Sequence, residues 1–227
     1  MDKINILCYG DSNTWGTIGR WAADSKPSAC FDAEHRWPEV MQAALGDRFH
    51  VIRQGLGGRT TIYAEEGAEW KSGEVYLTPC LHSHRPLDLV IIMLGSNDLM
   101  VKQDITAEEL PIGISRLVDI VQSYPKVGTG NVPPKVLLLA PIPIRKPHPE
   151  GRMEVYDQYR REIGLELSRQ FAPVQKKVAE EKGCYFMDAG LYAEACEADG
   201  DHFTPESHVR LGYALAEYIK KNIYPEV

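Results

Sequence analysis

The sequence predicts an α/β fold built on a five-stranded parallel sheet, in one domain over residues 1–227. Three observations predict it. Apolar runs alternate along the chain with helical patterns. Two of the runs, Leu89-Val90-Ile91-Ile92-Met93-Leu94 and Val136-Leu137-Leu138-Leu139, are continuous, as in strands covered on both faces. The β-α order repeats throughout, which implies right-handed crossovers in a doubly wound sheet. A flavodoxin-like α/β/α sandwich of three layers is the expected architecture.

Strands are expected at residues 4–9, 49–53, 87–94, 136–140 and 184–187. A helix at 37–45 ends before Gly46, a plausible C-cap. A second, over 106–124, opens with the capping-box spacing Thr106-Ala107-Glu108-Glu109 and keeps Leu110, Ile114, Leu117, Val118 and Val121 on one face. Residues 156–182 read as one long helix bent near Pro173. The last helix, 205–222, carries Leu211, Leu215 and Ile219 four residues apart, and Lys220 and Lys221 suit its C-terminal turn. Long segments at 13–36 and 55–74 follow the first two strands. Loops of that length are usually functional, and these are expected to wall the C-terminal edge of the sheet. Residues 131–134 precede a strand and belong at the opposite edge.

Composition narrows the partners. The chain is 44% hydrophobic and 25% charged, with a net charge of −7 and no evident basic patch. Nucleic acid and anionic membrane surfaces are therefore not expected as partners. No signal-peptide pattern or bilayer-length apolar stretch is expected. The five cysteines are odd in number and scattered, which points to reduced thiols and a cytoplasmic location. Cys8 and Cys184 are expected as buried small hydrophobes.

Four polar segments sit at strand ends, where an open α/β sheet binds ligands. Gly10-Asp11-Ser12-Asn13-Thr14 follows the first strand. Its serine is either a nucleophile or part of an ordinary turn and N-cap. Gly55-Leu56-Gly57-Gly58-Arg59-Thr60-Thr61 follows the second, a backbone that either approaches a ligand or simply turns. Gly95-Ser96-Asn97-Asp98 follows the third. The Asn97 amide suits an oxyanion donor and a turn equally. Asp199-Gly200-Asp201-His202 follows the fifth, and its Asp-x-x-His spacing allows the carboxylate to fix the imidazole tautomer. The bland alternative is a charged loop before a helix capped by Thr204, with Pro205 first. Each segment is ambiguous alone; together and in order they describe one site.

This combination resembles the SGNH (GDSL-type) hydrolase superfamily over nearly the whole chain. The longer stretches Gly10-Asp11-Ser12-Asn13-Thr14-Trp15-Gly16 and Gly55-Leu56-x-x-Arg59-Thr60-Thr61 are similar to its arylesterase/acyltransferase branch. The resemblance implies a serine esterase of short-chain or aryl esters that needs no cofactor. Acyl transfer to alcohols or peroxide and a homo-oligomeric state are further implications. By position, Ser12 is the nucleophile, His202 the base and Asp199 its orienting acid. The Ser12 and Gly58 N–H groups and the Asn97 amide form the oxyanion hole. Asp201 adjoins His202, but the family spacing selects Asp199.

Asp11 and Trp15 are expected near substrate. Trp15 and Trp21 either line a pocket or pack the first long loop. His82-Ser83-His84 lacks acidic or Cys partners at metal-site spacing, so no metal is expected. The acidic stretch 194–201, apart from Asp199, is expected to be a solvated face, and His208 a helix-surface residue. The competing functions are a carbohydrate acetylesterase of the same superfamily and a non-catalytic flavodoxin-like binding module.

Overall fold

The computed structural model describes residues 3–24 and 29–227. Its sheet has five parallel strands in the order β2-β1-β3-β4-β5. These are β1 (Ile4–Gly10), β2 (Phe49–Gly55), β3 (Leu89–Met93), β4 (Lys135–Ala140) and β5 (Tyr185–Asp188). The chain steps outward from β1 to β2, then crosses back over β1 to β3. The crevice at the carboxyl ends of β1 and β3 is thus the switch point of the sheet. Register brings Gly10 level with Gly55 on one side and with Met93 on the other.

The continuous apolar runs explain the three layers. Alternate side chains of each strand enter opposite cores. Ile6, Cys8, Ile91 and Leu137 pack on one face with Trp37 and Met41 of α2 (Trp37–Leu45) and Leu211 and Leu215 of the C-terminal helix. Leu7, Val90, Ile92 and Leu138 pack on the other with side chains of three further helices. Each such fully buried aliphatic side chain contributes roughly 1.5–3 kcal/mol relative to exposure.

The helices, in order, begin with α1 (Ser12–Trp15), a single turn directly after β1, followed by α2. Then come α3 (Gly73–Ser83), α4 (Asp98–Val101) and α5 (Leu110–Gln122). After β4 follow α6 (Met153–Gln158), α7 (Glu162–Ser168) and α8 (Phe171–Lys182), and α9 (Pro205–Tyr218) follows β5. The capping box at Thr106 and Glu109 is present, but it opens a short 3-10 turn, Ala107–Glu109, that leads into α5. Thr204 caps α9 through Ser207 N–H, with Pro205 in its first turn.

One expected helix needs correction, and one helix was not expected. The helix predicted over 156–182 is three helices. The first break is at Arg160 and Arg161, whose φ values of 61° and 54° end α6. The Arg160 guanidinium donates to the carbonyls of Gln103 and Ile105 at 2.6 and 3.2 Å, anchoring this corner. Pro173 bends nothing: it lies in the first turn of α8, where its missing N–H has no role to fill. The second departure is α3, which the sequence pattern did not reveal. Gly73 opens it and Pro79 lies inside it, two residues that speak against a helix.

Candidate active site

Ser12 stands at the first position of α1, immediately beyond the end of β1. Asp11 caps this turn by accepting from Asn13 N–H at 3.0 Å, the capping role its residue type favours. Asn13 reaches across the sheet edge. Its Nδ2 donates to the Asp201 carbonyl at 3.2 Å, and its Oδ1 accepts from Phe203 N–H at 2.9 Å. One buried amide therefore ties the serine turn to the backbone on either side of His202.

The Asp-x-x-His spacing closes as a compact turn. Asp199 Oδ2 lies 2.9 Å from His202 Nδ1. Asp199 Oδ1 accepts from the N–H groups of Asp201 and His202 at 3.1 and 3.0 Å, and from the Cys196 thiol at 3.2 Å. Gly19, from the first long loop, covers this carboxylate. A Cβ there would sit 2.2 Å from Cys196 Sγ and 2.9 Å from Asp199 Oδ2, so only glycine allows the approach. Burial alone would raise the Asp199 pKa. The His202 hydrogen bond and charge and the two N–H groups outweigh it and hold the carboxyl well below the usual range. For His202, burial opposes the charged ring. The Asp199 hydrogen bond and the charges of Asp201, Asp199 and Asp11 overcome this and push the imidazole up to about 9.

The remaining strand ends meet the same place. Gly58 adopts φ of +75°, a conformation glycine takes without strain. The Asn97 Nδ2 donates to the Arg59 carbonyl at 3.1 Å, which leaves its second N–H for another acceptor. Ser12, Gly58, Asn97 and His202 line one cleft of about 510 Å³, together with Trp15 and Leu56. An adjoining cleft of about 520 Å³ shares Gly58 and Asn97 and is lined by Glu65, Glu66, Lys71 and Gln103.

Four supporting residues escaped the sequence reading. Arg59 is 2% exposed and stacks 4.1 Å over the Tyr9 ring. Its guanidinium donates to the carbonyls of Gly10 and Gln54, which pins the ends of β1 and β2 together. Asp98 accepts from the N–H and hydroxyl of Thr61 at 2.7 and 2.6 Å, fixing the loop that carries Gly58. Burial, against those two hydrogen bonds, raises the Asp98 carboxyl to about 7. Asn13 and Cys196 act as described above. Arg59, Asp98 and Asn13 lie inside the quoted motifs, but each has a partner 37 or more residues away in sequence.

Asp11 is buried, and burial followed by the Asp201 charge raises its carboxyl to about 7. Trp15 lines the cleft, whereas Trp21 is 40% exposed and meets His148 edge-on. His208 is not a surface residue. It is fully buried with its ring edge-on to Phe31 and Phe203, and burial drives its pKa down to about 3. Nor is the 194–201 stretch wholly solvated: Glu194 and Glu197 are exposed, but Asp201 is buried like Asp199. Cys8 is buried as expected, while Cys184 is half-buried and precedes β5. His82 packs on Tyr124, and the His84 Nδ1 lies 2.8 Å from the Cys80 carbonyl. Among the described residues, no group of three His, Cys, Asp or Glu is set to hold a metal ion. No described helix is long and apolar enough to cross a membrane.

Residues 8–210 match the GDSL-like lipase/acylhydrolase family. The chain belongs to this family. Among solved structures, the GDSL-like chain is similar to an aryl esterase from M. smegmatis, with 38% identity and a TM-score of 0.84 over 96% of this chain and 99% of that one. It is also similar to a carbohydrate acetylesterase from Sinorhizobium meliloti, with 36% identity and a TM-score of 0.85 over the same shares, 96% and 99%. A comparison with proteins of curated function gave no match. The fold and family together identify a carboxylic ester hydrolase of the SGNH type.

Proposed function

We propose that this GDSL-like hydrolase cleaves short-chain or aryl carboxylic esters through an acyl-enzyme on Ser12. The observation that carries the reading is the 2.9 Å contact of His202 Nδ1 with a shielded Asp199, in a cleft shared with Ser12, Gly58 and Asn97. Asp199 holds the tautomer in which Nδ1 bears the proton and Nε2 is free. His202 Nε2 takes the Ser12 hydroxyl proton as Oγ bonds to the ester carbonyl carbon. The carbonyl oxygen becomes an oxyanion facing the Ser12 and Gly58 N–H groups and the spare Asn97 N–H. The imidazolium then protonates the leaving alcohol as the C–O bond breaks. In the second half, His202 deprotonates a water that attacks the acyl-enzyme, and Ser12 leaves with the returned proton. No step calls on a metal or cofactor. An alcohol or peroxide in place of that water gives acyl transfer.

A carbohydrate acetylesterase is the second reading. The adjoining polar cleft with Glu65, Glu66 and Lys71 favours it, since hydroxyl-rich groups suit such a lining. Steady-state rates on p-nitrophenyl acetate, longer p-nitrophenyl esters and acetylated xylose decide between them. The aryl reading expects the highest kcat/KM on p-nitrophenyl acetate; a preference for acetylated xylose transfers the assignment to the sugar esters. Activity that survives Ser12→Ala intact would contradict both, and activity absent throughout favours the binding-module alternative. We further infer a homo-oligomer, supported by the exposed Val75 and Tyr76 of α3 and Trp70 just before it. All five cysteines are unpaired, in keeping with the cytoplasmic location inferred from the sequence.

A further inference from the structure

Of the buried acids at the candidate site that the reaction above does not use, Asp201 is the one that lines the cleft beside His202. Asp201 lies between Asp199 and His202 in the same turn, and its side chain is only 11% exposed. Backbone contacts fix it at both ends: its N–H donates to Asp199 Oδ1 at 3.1 Å, and its carbonyl accepts from Asn13 at 3.2 Å. The carboxylate lies on the opposite side of the imidazole from Asp199. Its Oδ2 is 3.9 Å from His202 Nε2, and the residue lines the cleft with Ser12. That distance is too long for a hydrogen bond, so Nε2 stays available to a hydroxyl. It is also short enough for a strong effect of charge between two largely buried side chains.

We propose that Asp201 is a positioning residue that acts through His202: a second carboxylate that makes Nε2 a stronger base and steadies the imidazolium when it forms. The proposal rests on the reading of Ser12 and His202 as nucleophile and base. Asp199 orients the ring through Nδ1, and Asp201 sets its proton affinity from the Nε2 side. Other charged and titratable groups face this pair. Asp11 from the serine turn is close enough to act on both His202 and Asp201, and Arg59 acts on Asp11. Tyr159, beyond α6, faces Asp201, while the Cys196 thiol meets Asp199. His208 of α9 also feels the His202 charge, but its low pKa keeps it neutral. Burial raises the Asp201 pKa, and the charge of His202 counters it.

The sign of the effect is definite. A protonated His202 cannot accept the serine proton, so Ser12 reactivity falls on the acid side of the His202 titration. Removing the Asp201 charge makes the imidazolium less favourable and moves that limb to lower pH. It also weakens the base, so the plateau at high pH drops. A residue with only a structural role lowers the plateau and leaves the limb where it was.

The test is the second-order rate of Ser12 modification by a serine-reactive phosphonate, followed from about pH 5 to about pH 10 by mass spectrometry. Wild type, Asp201→Asn and Asp201→Glu are compared, with folding checked by circular dichroism. For Asp201→Asn the acid limb is expected to fall by about 1 pH unit or more, with a lower plateau. Asp201→Glu, which keeps the charge, is expected to hold the limb near the wild-type position. A limb in Asp201→Asn that coincides with wild type overturns the proposal. If Asp201→Asn does not fold, Asp201→Ser is read by the same criterion. Failure of the underlying reading looks different: wild type itself then shows no labelling of Ser12, or labelling without an acid limb.

Discussion

His202 is the residue whose environment most determines the chemistry. Asp199 at 2.9 Å and the nearby charges of Asp201 and Asp11 raise its pKa to about 9, against the cost of burial. Asp199→Asn removes the partner that selects the tautomer and stabilises the imidazolium. It is expected to lower kcat on p-nitrophenyl acetate by about 10⁴-fold, with little change in KM; a loss of tenfold or less would assign the orienting role elsewhere. The meeting of these side chains at one sheet edge was readable because a serine, an amide and an Asp-x-x-His each follow a strand, after β1, β3 and β5. The burial of Asp201 and His208 was not readable. Local polarity suggested solvent, whereas Asn13 and Tyr159 meet Asp201, and the Phe31 ring meets His208, from distant positions in the chain.

At the scale of elements, the one-turn helix α1 and the turn 199–202 must keep their relative position. Asn13 is the direct link, with its amide bonded to the Asp201 carbonyl and to Phe203 N–H. Asn13→Ala leaves both groups buried and unpaired, each costing about 1–3 kcal/mol. The expected result is a lower melting temperature and a kcat reduced at least about tenfold through misplacement of the base. An unchanged melting curve with full activity would show that the link is dispensable. The strands were legible because uninterrupted β-branched and aliphatic runs admit few other structures. Helix ends were less so. Breaks at Arg160 and Arg161 depend on carbonyls of Gln103 and Ile105, and α3 forms despite Pro79, because packing of Leu77 and Leu81 into the sheet face overrides propensity.

For the molecule as a whole, the doubly wound sheet explains why segments nearly 190 residues apart share one cleft: each strand delivers its loop to the same edge. The site also couples to stability. Asp11 and Asp98 have carboxyls raised to about 7 and His202 an imidazole raised to about 9, so these three bind more protons folded than unfolded and outweigh His208, whose pKa, lowered to about 3, works the other way. All three contributions are complete below the unfolded pKa values and are lost as pH rises through the folded ones. The melting temperature is therefore expected to decline from about pH 5 to about pH 9; a scan in which it climbs steadily over that span would contradict these assignments. The central claim is that Ser12 forms the acyl-enzyme, and labelling with a serine-reactive phosphonate tests it most directly. Peptide mass spectrometry is expected to find one adduct, on Ser12, with esterase activity lost in proportion. An adduct on any other residue, or none under conditions where the enzyme is active, would contradict the account.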